Sequence, residues 1–158
     1  LASLNYFAYY NPFNDEVHLY KNEYSLLLGF FIIVWCNDTG AYAVGRLFGK
    51  HKLFERISPN KTWEGFIGGC VLAISGAILF SMATDSSTFH WSIIASLIVI
   101  FGTLGDLTES QIKRSIGVKD SGKFLPGHGG LLDRFDGVLY AAPFVLTYFL
   151  LIKAESLI

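Results

Sequence analysis

Cysteine is scarce in this sequence, and the two that occur are placed so that two common kinds of site are excluded. Cys36 and Cys70 lie in separate apolar segments, without a CxxC pair and without a histidine at the spacing of a metal ligand. A structural zinc site needs clustered ligands, and a disulfide framework needs several cysteines. We therefore interpret both residues as core cysteines, which is the usual state of free cysteine.

Charge is also scarce. Only 16% of the 158 residues are charged, and the formal net charge is −1. No overall basic field is available to attract a nucleic acid, so no nucleic-acid partner is expected. In contrast, 52% of the residues are hydrophobic and 16% are aromatic, which is more than an ordinary soluble domain of this length carries. The composition indicates a membrane protein.

Four apolar segments are long enough to cross a membrane, because a hydrocarbon core of ~30 Å takes about 20 helical residues at ~1.5 Å per residue. The candidate spans are residues 24–48, 66–83, 91–105 and 137–152. Gly65 and Gly69, at the start of the second span, have the GxxxG spacing that lets membrane helices approach closely. The sequence predicts an all-α, polytopic membrane helix bundle, with residues 1–158 as one membrane-embedded domain. We expect further N-terminal spans to precede it in the full protein.

Lysine and arginine are concentrated in two segments of the chain. Of the twelve, five lie in residues 46–64 and five in residues 106–136. If the four spans alternate in direction, these ten cations fall on one side, as the positive-inside rule requires of a cytoplasmic face. We predict two basic cytoplasmic loops that carry chemistry. The simpler alternative is that the basic loops only set the topology.

The segment between the third and fourth spans is rich in carboxylates. Asp133 and Asp136 are three residues apart, so they share a face if this part is helical, and Asp106 can join them from the end of the third span. Oxygen ligands from different segments are typical of Mg²⁺ held beside substrate phosphates. An isolated DxxD is more often the acidic first turn of a helix. The presence of Asp106 favours a metal site.

The same segment supplies donors for phosphate groups. Backbone N–H groups around His128, Gly129 and Gly130 can form a nest for phosphate oxygens near the start of the fourth helix. The neighbouring cations are Lys113, Arg114, Lys119 and Lys123. Cations beside a carboxylate pair stabilise charge during phosphoryl or nucleotidyl transfer. For the lysines, attraction to anionic lipid headgroups is the alternative.

One carboxylate lies within the first apolar span. Asp38, beside Asn37, is flanked by apolar residues on both sides. A charge inside an apolar helix is costly and indicates function by default. The alternative is that both residues lie at the membrane interface, where the cost is small.

The first basic segment contains a second possible phosphate contact. Ser58 and Pro59 indicate a turn that leads into a helix containing Lys61 and Glu64. Lys61 can reach a triphosphate or a lipid phosphate as a point charge. The alternative is an ordinary surface pair between Lys61 and Glu64, which is worth little.

A resemblance to a known family extends this interpretation. The run SQIKRSIGVKDSGKFLPGHGGLLDRFD, from Ser110 to Asp136, closely resembles the signature of the phosphatidate cytidylyltransferases, also called CDP-diacylglycerol synthases. Residues 37–50 and 58–65 are similar to further conserved stretches of that family, and the similarity spans roughly residues 34–140.

The resemblance implies condensation of CTP with phosphatidic acid to give CDP-diacylglycerol and pyrophosphate, with Mg²⁺ required and a monovalent cation such as K⁺ assisting. It implies Asp106 and Asp133 as metal ligands, Asp136 and Asp38 as additional carboxylates, and a catalytic role for Lys113 and Arg114. The expected substrate-binding residues are Asn37, Asp38, Arg46, Ser58, Lys61, Lys119, His128, Gly129, Gly130 and Arg134. Since phosphatidate is already an anionic nucleophile, we expect His128 to donate a hydrogen bond rather than act as a base.

The expected setting is a bacterial inner membrane with the active site facing the cytoplasm, where CTP meets membrane-bound phosphatidate, and a homodimer is one assembly to test. Two rival functions remain open. A CTP-dependent lipid kinase of the dolichol-kinase type would transfer the γ-phosphate to an alcohol and release CDP. A cation transporter or channel would use Asp38 as part of an ion path, although it would not need two basic, glycine-rich loops on one face.

Overall fold

The computed structural model of the chain describes residues 25–118 and 132–155. These residues form four long α-helices and one short β-hairpin. The helices are α1 Ser25–Phe48, α2 Trp63–Ala83, α3 Thr88–Ser115 and α4 Leu132–Glu155. The strands β1 Lys52–Phe54 and β2 Ser58–Thr62 lie between α1 and α2 and pair antiparallel, with Lys52 opposite Thr62 and Phe54 opposite Ser58.

Each helix contains a stretch that is long and apolar enough to cross a membrane. The four stretches are Leu26–Phe48, Trp63–Ala83, Thr88–Ser115 and Phe135–Ile152. Large apolar side chains remain exposed along them, among them Trp35, Val71, Leu79 and Met82. Exposed apolar side chains of this size are unfavourable in water and favourable next to lipid acyl chains. The predicted helical membrane bundle with four spans is confirmed, and the chain is part of an integral membrane protein.

Helices α1 and α2 pack closely, as the GxxxG spacing predicts. A Cβ atom on Gly69 would lie 2.7 Å from Asn37 Oδ1, and one on Gly65 would lie 2.8 Å from the backbone oxygen of Ala41. Only glycine therefore lets the two backbones come this near. The contact fixes the segment of α1 that carries Asn37 and Asp38.

Helices α3 and α4 pack along each other at the same end of the bundle. Gly105 of α3 faces the Cβ atom of Tyr140 and the backbone oxygen of Asp136. This approach brings Asp106, the next residue of α3, towards Asp136 at the start of α4. Farther along, the helices enclose an apolar core whose largest fully buried side chains include Trp91, Phe30, Phe149, Ile33 and Ile98.

The hairpin corrects one prediction. Ser58–Thr62 was expected to turn into a helix containing Lys61, but it forms strand β2, and α2 begins only at Trp63. Thr62 is buried and caps α2, because its Oγ1 accepts a hydrogen bond from Gly65 N at 3.1 Å. Its extended backbone stops the helix from starting earlier. Lys61 therefore lies on a strand beside the helix end.

A second correction concerns the third span. The polar segment after Gly105 was treated as a loop, yet α3 continues as a helix to Ser115. Asp106, Glu109 and Lys113 consequently share one helical stripe at i, i+3 and i+7. The apolar part of α3 ends near Gly105, but the helix continues through polar residues. Polar residues can continue a membrane helix where it leaves the hydrocarbon.

Candidate active site at the hairpin end of the bundle

A cavity of about 440 Å³ lies where the hairpin meets the helices. It is lined by residues of α1, α2, α3, α4 and both strands. The polar lining residues are Asn37, Asp38, Tyr42, Ser58, Asn60, Lys61, Thr62, Thr103, Asp106 and Asp136. The apolar ones include Val34, Leu53, Phe66, Ile98 and Val138. We call this space the polar cavity; it combines charged and apolar walls, as a site for an amphipathic substrate requires.

Lys61 and Asp106 form an ion pair across the polar cavity, between Lys61 Nζ and Asp106 Oδ2. The two side chains are 26% and 39% exposed, so the pair is open to a soluble ligand. The expected alternative, a surface pair between Lys61 and Glu64, does not form. Glu64 Oε1 instead lies 2.6 Å from His51 Nδ1, and Glu64 Oε2 accepts hydrogen bonds from the backbone N–H groups of Lys50 and His51 at 3.2 Å.

Asp38 lies in the interior of α1, ten residues before its end at Phe48. Asn37 Nδ2 approaches Asp38 Oδ1 at 3.5 Å. The charged neighbours of the Asp38 carboxylate are Asp106 and Lys61. The candidate span Leu26–Phe48 includes Asp38. Asp38 faces the same cavity as the Lys61–Asp106 pair.

Asp136 supplies a third carboxylate, from the second turn of α4. Its Oδ1 accepts a hydrogen bond from Gly137 N at 2.7 Å, and its charged neighbours are Asp106 and Glu109. Asp106 is further held by Ser110, whose Oγ donates to Asp106 Oδ1 at 3.3 Å. Two helices thus present carboxylates to one space, as the sequence analysis predicted for Asp106 and Asp136.

Glu109 is a charged neighbour of this site that the sequence analysis missed. Its side chain is 11% exposed, and its Oε2 pairs with Lys113 Nζ at 3.1 Å. Its Oε1 is buried and has no hydrogen-bond partner among the described residues, while Asp136 lies beside it. A prediction that the segment after Gly105 is helical would have identified Glu109. It is three residues from Asp106 and four from Lys113, so all three lie on the same helix face.

The oxygen donors of the polar cavity suit a hard divalent cation chemically. Asp38, Asp106 and Asp136 line the space together. Within residues 25–118 and 132–155, however, no three His, Cys, Asp or Glu side chains lie close enough together to hold a metal ion. The described carboxylates therefore have the chemistry of divalent-cation ligands but are not gathered into a metal site by themselves.

The other predicted site residues divide into three groups. Among the described residues, Arg46 donates to the Tyr42 hydroxyl at 2.7 Å, Lys113 pairs with Glu109, and Arg114 is exposed in the last turn of α3; none of the three lines the polar cavity. Asp133 and Arg134 lie in the first turn of α4, but their side chains are outside the described part. Lys119, His128, Gly129 and Gly130 also lie outside the described residues.

Comparison with known proteins identifies relatives of this chain. It is 45% identical over 144 residues to the phosphatidate cytidylyltransferase of Staphylococcus haemolyticus, which is 90% of this chain and 53% of that protein. It is 54% identical over 115 residues to the enzyme of that name from Staphylococcus epidermidis, which is 72% of this chain and 44% of the relative. The chain thus spans about half the length of the curated relatives it matches.

The fold has a counterpart among solved structures. An intramembrane enzyme for archaeal membrane lipid biosynthesis superposes with a TM-score of 0.50 at 18% identity, covering 80% of this chain and 91% of that one. This similarity concerns the fold alone. The sequence profile of the cytidylyltransferase family matches residues 2–152, and the chain therefore belongs to that family.

Proposed function

We propose that the full protein is a phosphatidate cytidylyltransferase, which condenses CTP with phosphatidic acid to give CDP-diacylglycerol and pyrophosphate. Family membership and the names of the relatives support this activity. The observation that carries it is the ion pair of Lys61 with Asp106 in a cavity that also holds Asp38 and Asp136. A cation and several carboxylates in one space suit a reaction that brings two phosphate-bearing substrates together.

The reaction is a nucleotidyl transfer. A phosphate oxygen of phosphatidate forms a bond to the α-phosphorus of CTP, the bond from that phosphorus to the bridging oxygen breaks, and pyrophosphate leaves with the electron pair. The nucleophile is already an anion, so the residues need only bind, orient and neutralise. Lys61 is the described cation best placed to do so, because its ammonium group lies in the cavity and can exchange Asp106 for a phosphate oxygen.

The apolar walls suggest how the lipid substrate is held. Val34, Ile98 and Val138 line the cavity together with the three carboxylates, and they belong to segments that cross the membrane. We infer that the glycerol and upper acyl chains of phosphatidate lie along these residues while its phosphate reaches Lys61. CTP would approach from the aqueous side, past Ser58 and Asn60 of β2.

Mg²⁺ is proposed as the cofactor, with Asp106, Asp136 and Asp133 as its ligands and Asp38 as an additional carboxylate; K⁺ is the proposed monovalent cation. The divalent ion would neutralise the negative charge of the triphosphate. Separating Lys61 from Asp106 when phosphate binds would free the Asp106 carboxylate for this purpose. As long as Lys61 and Asp106 stay paired, each neutralises the charge of the other, and neither charge is available to the substrates.

The remaining residues expected from the family resemblance keep proposed roles. Substrate binding is proposed for Asn37, Arg46, Ser58, Lys119, His128, Gly129, Gly130 and Arg134, and charge stabilisation for Lys113 and Arg114. The proposed location is a bacterial inner membrane with the polar cavity on the cytoplasmic side, which agrees with the concentration of cations at this end. A homodimer is a further proposal.

Product analysis tests the function. Purified full-length protein is incubated with CTP, phosphatidate and Mg²⁺, and lipid and nucleotide products are separated. CDP-diacylglycerol and pyrophosphate in equal amounts, formed only when all three components are present, are expected. Release of CDP with a newly phosphorylated lipid would instead identify a lipid kinase. Absence of any CTP consumption, with cation flux in vesicles, would favour a transporter.

A further inference from the structure

The hairpin has two faces, and only one of them belongs to the polar cavity. Leu53 of β1 lines the cavity, whereas its neighbours Lys52 and Phe54 are exposed, because successive residues of a strand point to opposite faces. Next to Lys52 lies a shallow cleft lined by Lys50, His51, Lys52, Glu55, Trp63, Glu64 and Ile67. We call it the outer cleft; it shares no lining residue with the polar cavity.

The outer cleft carries two lysines, Lys50 and Lys52, and two glutamates, Glu55 and Glu64. Glu64 is one of its two acidic groups, and its carboxylate is already occupied by the His51 ring and by the backbone N–H groups of Lys50 and His51. These contacts tie the start of the hairpin to the first turn of α2. The Glu64 carboxylate thus faces His51 and the backbone, whereas the ammonium groups of Lys50 and Lys52 are exposed and can contact a ligand.

The outer cleft lies at the start of the second candidate membrane span. Trp63 is the first residue of the second membrane span, and its side chain is 51% exposed, with Ile67 one turn later 58% exposed. Exposed tryptophan at the end of a membrane helix is typical of the headgroup region. Lysines beside such a tryptophan can reach lipid phosphates, because long basic side chains extend easily to the headgroup region.

We propose that the outer cleft binds an anionic phospholipid of the surrounding membrane that is not a substrate. Lys50 and Lys52 contact the headgroup phosphate, and Trp63 and Ile67 contact the upper acyl chains. The two exposed lysines and the exposed apolar side chains together match an anionic lipid, whereas a soluble polyanion would leave Trp63 and Ile67 without a partner. The site goes beyond the proposed reaction and would exist even if the reaction were a different one.

Quenching of tryptophan fluorescence by brominated lipids tests the proposal. Full-length protein is placed in phosphatidylcholine nanodiscs that contain increasing fractions of one brominated lipid. This lipid is either phosphatidylglycerol or phosphatidylcholine, brominated near the headgroup in both cases. Subtracting the signal of a Trp63→Phe variant isolates Trp63 from the lipid-exposed Trp35. We expect brominated phosphatidylglycerol to quench Trp63 more than the zwitterionic lipid at equal mole fraction. We also expect the excess to shrink in high salt.

The specificity control uses the same hairpin. The double variant Lys50→Gln/Lys52→Gln should lower the excess quenching at least about fivefold, the factor that one lysine supplies at an anionic surface. Arg56→Gln removes a charge from the hairpin outside the outer cleft and should leave the excess unchanged. Equal quenching by the two lipids, or equal losses in the double variant and in Arg56→Gln, would overturn the proposal. Retention of the excess in a folded double variant would overturn it as well.

Discussion

The two ends of the helix bundle differ in how their polar side chains are paired. At the end opposite the hairpin, hydroxyl and imidazole groups pair with one another and with backbone oxygens: Ser81 Oγ bonds to Thr88 Oγ1 at 2.9 Å, Thr84 Oγ1 donates to Phe80 O at 2.9 Å, and His90 Nδ1 lies 2.8 Å from the Tyr148 hydroxyl. At the hairpin end, charges face one another across a cavity. The first arrangement holds a turn together, and the second keeps charge available for a ligand.

Charged groups near an apolar interior carry a desolvation cost that neutral hydroxyl pairs avoid. The hairpin end nevertheless retains Asp38, Asp106, Asp136 and Glu109, and one Glu109 oxygen has no hydrogen-bond partner among the described residues. Stability alone does not explain such a set. The contrast predicts that changes at the hairpin end alter activity, whereas changes at the opposite end alter stability.

The largest expected effect is that of Asp106→Asn. The change keeps the shape of the side chain but removes the charge that pairs with Lys61 and that would bind the metal. We expect CDP-diacylglycerol formation to fall at least about 100-fold, as when a group that stabilises transition-state charge is lost. The matched control is Asp85→Asn in the turn between α2 and α3, where the backbone φ of 51° is one that asparagine tolerates. Equal activity of the two variants would contradict the contrast between the ends.

Lys61→Gln should have the next largest effect. Loss of the ammonium group removes a phosphate contact and leaves Asp106 unpaired, so we expect activity to fall about 10- to 100-fold. A raised KM for CTP or for phosphatidate will show which substrate Lys61 contacts. Arg56→Gln, on the same hairpin and outside the polar cavity, should retain full activity. A similar loss of activity in both variants would mean that activity depends on the hairpin as a whole rather than on the Lys61 ammonium group.

A smaller effect is expected from Glu109→Gln. Glu109 does not line the polar cavity but stands between Lys113 and Asp136. The substitution weakens the pairing of Lys113 and the negative field at Asp136, so activity should fall about tenfold, which corresponds to ~1.4 kcal/mol of barrier. Thermal unfolding of the purified variant separates this from a structural loss. A large drop in Tm with unchanged activity of the folded fraction would make Glu109 a purely structural residue.

The sequence predicted the spans well and the hairpin poorly, for physical reasons. A run of about 20 apolar residues has few alternatives to a membrane helix, so local composition decides it. Strand β2 is polar throughout and contains Pro59, which argues against a strand. Its extended form depends on pairing with β1 and on Glu64, which holds Lys50 and His51 from more than a dozen residues away. No local pattern encodes such contacts.

The same distinction applies to the site. The family resemblance and the charge pattern placed Asp38, Lys61, Asp106 and Asp136 among the site residues, and all four line the polar cavity. The pairing of Lys61 with Asp106 was not predicted, because it joins a strand and a helix whose relative position depends on the whole bundle. Glu109 was missed because the end of the apolar run at Gly105 was taken as the end of the helix.

The smallest expected effect is at the opposite end, where Ser81→Ala tests the other half of the comparison. Ser81 is fully buried, and its Oγ donates to Ile78 O at 2.8 Å and bonds to Thr88 Oγ1. Its loss should lower the free energy of unfolding by about 1 kcal/mol, a typical net value for one hydrogen bond, and leave the activity of the folded enzyme unchanged. Ser92→Ala, which removes a hydroxyl bonded one turn back to Thr88 O, should change neither quantity measurably. Reduced activity in folded Ser81→Ala protein would show that the hydroxyl network is coupled to the polar cavity, and the division of labour between the two ends would then be wrong.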